Sequence, residues 1–206
     1  MEVNLIISSL DYLDKTKIKV FIDEEYAFWL YEKEIIQYQI KEGEEITSQI
    51  QEVILRDIIL HRAKLKAVGI LKFMDRTEYE IMKKLSDAGY PEGIVRQVLA
   101  YLNDYRYIDD DKYAAAYVRI KKNTKSKRVI KMELKQKGIK KDIIDRVLSS
   151  EYENEESEDP ELLAIKKAIE KKHIDPSSLS KEEKQKVLSS LYRKGFEIDK
   201  INRILL

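Results

Sequence analysis

Lysine and arginine residues concentrate in the middle of this chain. Between positions 112 and 146, thirteen Lys and Arg stand against three acids, a local net charge of +10 in a chain whose total is only +1. Side chains at this density attract the phosphates or carboxylates of a partner. The alternative is a solvated surface that only keeps the protein soluble, and we favour binding because so few acids lie nearby. The candidate basic surface consists of Arg119, Lys121, Lys122, Lys125, Lys127, Arg128, Lys131 and Lys135.

Five tyrosines fall within 17 residues beside this basic region: Tyr101, Tyr105, Tyr107, Tyr113 and Tyr117. Aromatic rings of this kind stack on unpaired bases in proteins that bind single strands. Tyr113 and Tyr117, however, lie four residues apart on one helix face, which is typical of core packing. We therefore favour packing between neighbouring helical repeats over base stacking, with the hydroxyls reaching solvent.

Three consecutive carboxylates, Asp109, Asp110 and Asp111, are the candidate metal ligands. No glycine or distal glutamate completes a calcium-binding loop, and their place just before a helix favours helix capping instead. The two histidines, His61 and His173, are far apart, and the chain has no cysteine, nucleotide-binding glycine loop or nucleophile elbow. We therefore expect no metal, no cofactor, no catalytic residue and no enzymatic activity.

Composition indicates a helix-rich soluble protein. Charged residues make up 37% of the 206 positions, and there are only six Gly and three Pro. The apolar run at positions 5–10 stops at Asp11, which is too short for a signal peptide, and no run approaches the ~20 apolar residues that span a bilayer. We expect a cytoplasmic protein without a membrane partner.

The first 46 residues have the period of strands. Ile18, Val20 and Ile22 alternate with polar residues, and the acidic residues at 23–25 form a plausible turn. The segments 26–31 and 35–40 are also rich in β-favouring residues, so two or three short antiparallel strands are predicted.

Helical periodicity begins at Ser48, where a long helix is predicted over 48–73 with an apolar face formed by Ile50, Ile54, Ile58, Leu65 and Val68. After it, three glycines mark an internal repeat. Each glycine lies between two segments whose apolar residues have the spacing of one buried helix face. The glycines and their matched apolar positions are Gly89 with Ile81, Leu85, Val95, Val98 and Leu99; Gly138 with Ile130, Leu134, Ile144, Val147 and Leu148; and Gly195 with Val187, Leu191, Ile201, Ile204 and Leu205.

The predicted fold is mainly α: an elongated tandem array of three three-helix repeats with a small N-terminal β-strand or hairpin segment. The predicted boundaries are 1–46 for the β-rich segment, 47–104 for the first repeat, 105–150 for the basic second repeat, 151–159 for an acidic linker and 160–206 for the third repeat.

The second repeat resembles the RecX family of recombinase regulators. Its segments Tyr-Ile-Asp-Asp at 107–110, Tyr-Ala at 113–114 and Tyr-Val at 117–118 are similar to a family signature, as are the segments 126–130 and 133–139. The resemblance extends over about 63–148, is weaker in the third repeat and is weakest before Gly43. Arg106 departs from it, since glycine is usual there. The motif residues are Asp109, Asp110, Tyr113, Glu133, Leu134 and Gly138.

The resemblance implies a regulator that binds the RecA-type recombinase, above all its filament on single-stranded DNA. We expect this regulator to be a monomer. Such proteins settle in the filament groove and restrain ATP hydrolysis, strand exchange and filament growth. The alternative is a helical module that binds single-stranded DNA directly and without sequence specificity. The third hypothesis is a purely structural scaffold that is unrelated to DNA.

Overall fold

The computed structural model describes residues 4–153 and 159–205. The chain divides into two compact units, Met1–Ile108 and Asp109–Leu206. The predicted acidic linker falls mostly on 154–158, outside the described residues. The helical repeats and the N-terminal β-structure of the predicted fold are confirmed, whereas the predicted domain boundaries stay predictions. No described helix is long and apolar enough to cross a bilayer.

One antiparallel sheet is formed by the strands β1 (Asn4–Tyr12), β2 (Lys17–Ile22), β3 (Glu25–Tyr31) and β4 (Glu45–Thr47). Their order in the sheet is β3-β2-β1-β4. Alternation in β2 points Ile18, Val20 and Ile22 to the buried face of the sheet. Asp23 and Glu24 form the β2–β3 turn with φ of 48° and 68°, as the acidic turn segment predicted.

The strand predicted at 35–40 is wrong, because residues 35–37 belong to the short helix α1 (Glu32–Gln37) and residues 38–40 are not in a strand. The backbone N–H of Tyr31 donates to Glu34 Oε2 at 2.8 Å, and this local cap starts a helix where the apolar residues alone favoured a strand. Strand β1 includes the apolar run at 5–10, and neither β1 nor β4 was predicted as a strand. The run at 5–10 lacks the alternation from which β2 was predicted.

The long helix predicted over 48–73 is present but contains a π-helical segment. It runs through α2 (Ser48–Val53), the π-helical segment (Ile54–Leu60) and α3 (His61–Leu71). Each π turn takes up one more residue than an α turn, so the buried face shifts along the sequence.

The apolar face predicted for this helix is therefore only partly correct. Ile54 is buried, but Ile50 and Leu65 are 40% and 61% exposed. The buried positions after Ile54 are Ile59, Ala63 and Ala67, at successive spacings of five, four and four residues.

Three helices make up each repeat. They are α3, α4 (Glu78–Asp87) and α5 (Glu92–Asp104); α6 (Asp110–Lys121), α7 (Lys127–Gln136) and α8 (Lys141–Glu153); and α9 (Pro160–Glu170), α10 (Lys181–Arg193) and α11 (Ile198–Leu205), with a 3-10 turn at Pro176–Ser178.

The glycine pattern correctly predicts how the second helix of each repeat ends. Gly89, Gly138 and Gly195 have φ of 80°, 79° and 85°, the left-handed conformation of a helix C-cap. The leucines four residues earlier are at most 3% exposed. Thr77 and Glu80 also form the capping box expected at the start of α4.

The sheet and the first repeat share one core. Trp29 Nε1 donates to the carbonyl of Ala88 at 3.1 Å, and the Tyr26 hydroxyl donates to the carbonyl of Gly89 at 2.5 Å. Both acceptors lie at the end of α4, so β3 is fixed against the first repeat. The second and third repeats have separate cores of their own within the other unit.

Candidate docking surface

Helix α7 carries a stripe of cations on its exposed side. Ser126 begins the helix, its side chain accepting from the backbone N–H of Val129 at 3.3 Å. Ile130 and Leu134 are fully buried on the inner face. On the outer face lie the α7 stripe residues, which are three, four and seven positions apart and all exposed: Arg128, Lys131 and Lys135.

Two members of the α7 stripe have no carboxylate partner in the described part of the chain. Lys131 pairs with Asp145, whereas neither Arg128 nor Lys135 forms an ion pair or hydrogen bond through its side chain within 4–153 and 159–205. Lys127, just beside the stripe, places its ammonium 5.0 Å from the ring centroid of Tyr152. Among the residues that the structure describes, no carboxylate neutralises Arg128 or Lys135 on the outer side of α7.

The remaining predicted cations, on α6 and the turn after it, are engaged within the protein. Arg119 contacts Glu151 at 2.6 Å, and the buried Lys122 donates to the backbone carbonyl of Glu151 at 3.1 Å. Lys125 pairs with Glu133, whose pKa Lys121 also helps to lower. The candidate surface thus divides into the α7 stripe and the inward group, which consists of the cations of α6 and the following turn that bond within the protein, although Arg119 itself is exposed.

Within the inward group, Glu133 is the carboxylate that pairs with Lys125. Burial acts to raise its pKa, but hydrogen bonds from Lys125 and Tyr117 outweigh burial, so the pKa is lowered. The Tyr117 hydroxyl donates to Glu133 Oε2 at 2.8 Å. Burial and this hydrogen bond raise the pKa of Tyr117 to about 12. Glu133 is therefore an ionised carboxylate that holds α6, α7 and the turn between them together.

Tyr113 and Tyr117 lie together as a packed pair. Their rings are stacked with centroids 6.4 Å apart, and both pack against the core of the second repeat. The Lys137 ammonium lies 5.4 Å from the Tyr113 ring centroid and 6.0 Å from that of Tyr117. Packing of this pair is therefore found on the core of its own repeat, whereas the predicted packing between neighbouring repeats stays a prediction.

The other three tyrosines form a separate cluster in the first unit. Tyr101, Tyr105 and Tyr107 have centroid separations of 4.8, 6.1 and 6.3 Å, and the rings of Tyr105 and Tyr107 belong to residues 67% and 51% exposed. Lys64 lies 4.4 Å from the Tyr101 ring. Arg106, between the two exposed tyrosines, has a φ of 54°, a conformation that glycine adopts without strain.

The other family-motif residues hold the second repeat together. Asp109 caps α6 by accepting from the Lys112 backbone N–H at 2.9 Å, and that bond lowers the pKa of Asp109. Asp110 lies in the first turn of α6, and Asp111 pairs with Arg146. Across the described residues, no group of three or more potential ligand side chains is arranged to hold a metal ion.

A polar contact between the second and third repeats was missed by sequence reasoning. Glu161 is only 1% exposed, and its carboxylate accepts from the Lys127 backbone N–H at 3.0 Å and from Lys200 Nζ at 2.7 Å. The Ser126 hydroxyl donates to the carbonyl of Lys194 at 2.9 Å. The start of α7 is thereby fixed against the third repeat. No local sequence signal indicates this contact, since the pairing of Glu161 with Lys200 depends on the tertiary fold.

Comparison with known proteins identifies family models and relatives that are similar to this chain. Family models described as the first, second and third three-helix domains of RecX match residues 63–102, 109–148 and 159–205. Regulatory protein RecX of Caldanaerobacter subterraneus subsp. tengcongensis is 34% identical over 92% of each chain. That of Bacillus velezensis is 33% identical over 92% of this chain and 71% of its own.

Solved structures share the fold. A crystal structure of regulatory protein RecX aligns over 98% of both chains with a TM-score of 0.60 and 27% identity. The crystal structure of RecX from Lactobacillus salivarius covers 71% of this chain and 94% of its own, with a TM-score of 0.57 and 27% identity.

Proposed function

This chain belongs to the RecX family, and from that premise we propose that it binds the filament of a RecA-type recombinase on single-stranded DNA and restrains the filament's ATPase and strand exchange. The relatives are named as regulatory proteins, which fits a role without catalysis. The proposed partner is the recombinase with its DNA, and we propose that the protein acts as a monomer in the cytoplasm.

The observation that carries the proposal is the α7 stripe. Arg128 and Lys135 lie on one exposed helix face without a carboxylate partner in the described chain, so their charge is available to a partner. A nucleoprotein filament offers phosphates and acidic side chains at regular intervals, and cations on a rigid helix match such a partner. The inward group, including Lys122, contributes to stability more than to docking.

Charge reversal on α7 tests this proposal. We expect Arg128→Glu with Lys135→Glu to weaken inhibition of recombinase ATPase on single-stranded DNA by about tenfold in the concentration required, because each reversed charge replaces attraction with repulsion. Both side chains are exposed, so helix content should remain as in the parent.

A matched control variant is Lys140→Glu with Lys186→Glu, which changes the net charge equally at two exposed positions outside α7. It should inhibit like the parent. If the α7 variant also inhibits like the parent, the docking role of the stripe is wrong. If the parent neither binds nor inhibits the filament, the proposed function itself is wrong.

Direct binding to single-stranded DNA is the second candidate function. The exposed rings of Tyr105 and Tyr107 beside Arg106 favour it, since ring faces and a cation are the elements of a base-stacking surface. Comparing affinity for naked single-stranded DNA with affinity for the preformed filament at one salt concentration separates the two. Equal affinities would favour direct DNA binding.

A further inference from the structure

A cleft in the first unit lies between the sheet and the first repeat, apart from the α7 stripe. It encloses about 1030 Å³. Strand β2 contributes Lys17 and Lys19, whose cross-strand neighbours on β3 are Tyr31 and Trp29. Helices α3 and α4 supply the opposite wall. The cleft thus has a wall of sheet and a wall of helix, each of which carries cations.

Positive charge dominates this cleft. Asp87 is the only carboxylate that lines it in the described chain, against five cationic side chains. Two of the cations are tied within the protein, since Arg62 pairs with Glu34 and Lys17 with Asp14. The other three have no ion-pair partner among the described residues of the first unit: Lys19, Lys66 and Lys84.

Exposed aliphatic side chains lie between these cations. Leu65 is 61% exposed and Leu13 is 44% exposed, and both line the cleft together with Ile70. Leu65 occupies a position at which an uninterrupted α-helix would bury it, and the π-helical segment turns it outward. The cleft therefore combines apolar surface with a basic rim, as in a groove that binds a peptide.

The aromatic rings of the cleft are not available to nucleobases. Trp29 is 4% exposed, with the Arg62 guanidinium 4.5 Å and the Lys17 ammonium 5.3 Å from its ring centroid. The same guanidinium lies 4.7 Å from the Tyr31 ring centroid. Since single-stranded nucleic acids bind by stacking on open ring faces, this cleft fits a protein segment better than a DNA strand.

We propose that the cleft is a second docking site, which binds an acidic peptide segment of a protein partner that also carries aliphatic side chains. The carboxylates of the segment pair with Lys19, Lys66 and Lys84, and an aliphatic side chain covers Leu65. Charge complementarity selects the segment, and apolar burial adds affinity. This site is independent of the α7 stripe and goes beyond the proposed function.

Trp29, the only tryptophan in the chain, is a built-in reporter of the cleft. The full-length protein is titrated with a short peptide of Glu, Ser and Leu while tryptophan emission is recorded. We expect a saturable change in emission. A Glu and Ser peptide of equal charge and length should bind about tenfold more weakly, because it lacks the side chains that bury apolar surface. Because no residue of α7 lines the cleft, a peptide that binds to the α7 stripe should not change the emission of Trp29.

Variants locate the binding in the cleft. Lys19→Ala, Lys66→Ala and Lys84→Ala together should weaken binding of the Leu-containing peptide by about tenfold. The control combines Lys33→Ala, Lys72→Ala and Lys83→Ala, three exposed lysines of the same unit outside the cleft lining, and should bind like the parent. Unchanged urea unfolding of both variants, followed by Trp29 emission, verifies that they fold.

Three results would overturn the proposal: no emission change with the Leu-containing peptide, equal weakening in the control variant, or equal affinity for oligothymidylate. The last would show that the cleft recognises phosphates rather than an acidic protein segment. None of these results bears on inhibition through the α7 stripe, so the two proposals fail separately.

Discussion

Left-handed backbone positions are held by different residue types in this protein. Glycine occupies this conformation at the end of α4, α7 and α10, whereas Arg106 adopts it with a φ of 54° beside two exposed tyrosines. A side chain in this region costs about 1 kcal/mol relative to glycine. Strain of this kind persists where surrounding structure or function requires the side chain. The backbone conformation of Arg106 therefore lowers the free energy of unfolding at a position next to the exposed Tyr105 and Tyr107.

Substitution of two glycines separates backbone strain from packing. Gly43 and Gly195 have φ of 81° and 85°, but a Cβ on Gly43 would meet nothing within 4 Å, whereas a Cβ on Gly195 would lie 2.7 Å from Ser126 Oγ. We expect Gly43→Ala to lower the free energy of unfolding by about 1 kcal/mol through backbone strain. Gly195→Ala should cost a further ~1–3 kcal/mol through overpacking. Native-state hydrogen exchange measures each loss in its own unit.

The clash at Gly195 has a direct control. Ser126→Ala removes the hydroxyl that the new methyl group would meet, so the double variant should recover part of the stability lost in Gly195→Ala. Strictly additive losses, or equal losses at Gly43 and Gly195, would mean that the third repeat shifts away from Ser126 without cost.

The π-helical segment decides which side of its helix is buried. An uninterrupted α-helix through the segment would place Ile58 and Leu65 on the face of Ile54, as the spacing of apolar residues predicted. The extra residue taken up in the π turns moves Ile59 into the core instead and leaves Leu65 at the cleft. One local change in helix geometry thus both fills the core and exposes the aliphatic surface of the proposed second docking site.

Alanine substitutions on either side of this register shift distinguish the two arrangements. Ile59 is 1% exposed, so Ile59→Ala should lower the free energy of unfolding by ~2–5 kcal/mol through lost burial and a cavity. Leu65→Ala should change it by less than about 0.5 kcal/mol, since Leu65 is 61% exposed. Urea unfolding followed by Trp29 emission measures both, because Trp29 belongs to the same core as Ile59. A larger loss for Leu65→Ala would refute the π register.

Prediction from sequence succeeded for this molecule where local spacing determines the outcome. Gly89, Gly138 and Gly195, with apolar residues four and eight positions earlier, suffice to predict the paired helices of each repeat, because caps and amphipathic faces are local properties. Strand β1 and the contact of Trp29 with Ala88 depend on partners distant in sequence, so no local pattern predicts them.

For the candidate basic surface, too, local sequence predicts one part of the result and tertiary contacts determine the rest. Composition is enough to find its eight cations, but which of them are free depends on carboxylates brought in by folding. The Glu133 carboxylate on α7 pairs with Lys125, and the Glu151 carboxylate on α8 pairs with Arg119. The backbone carbonyl of Glu151 accepts from Lys122. The sequence therefore predicted where positive charge lies and could not predict how much of it faces outward.

The total net charge of +1 does not describe the local positive charge at the surface that binds a partner. The salt dependence of filament binding measures that local charge. Each phosphate contact on a single strand adds about 0.7 to the slope of log affinity against log salt. Arg128→Gln with Lys135→Gln removes two cations of the α7 stripe, so the slope should become shallower by up to about 1.4. The control, Lys140→Gln with Lys186→Gln, changes the net charge equally and should keep the parent slope. Titrations of labelled filament over a range of salt concentrations give all three slopes.

Two outcomes would contradict this prediction. If the α7 variant keeps the parent slope while its affinity falls, the stripe contacts protein carboxylates or apolar groups rather than phosphates. If neither slope nor affinity changes, the filament docks on another face.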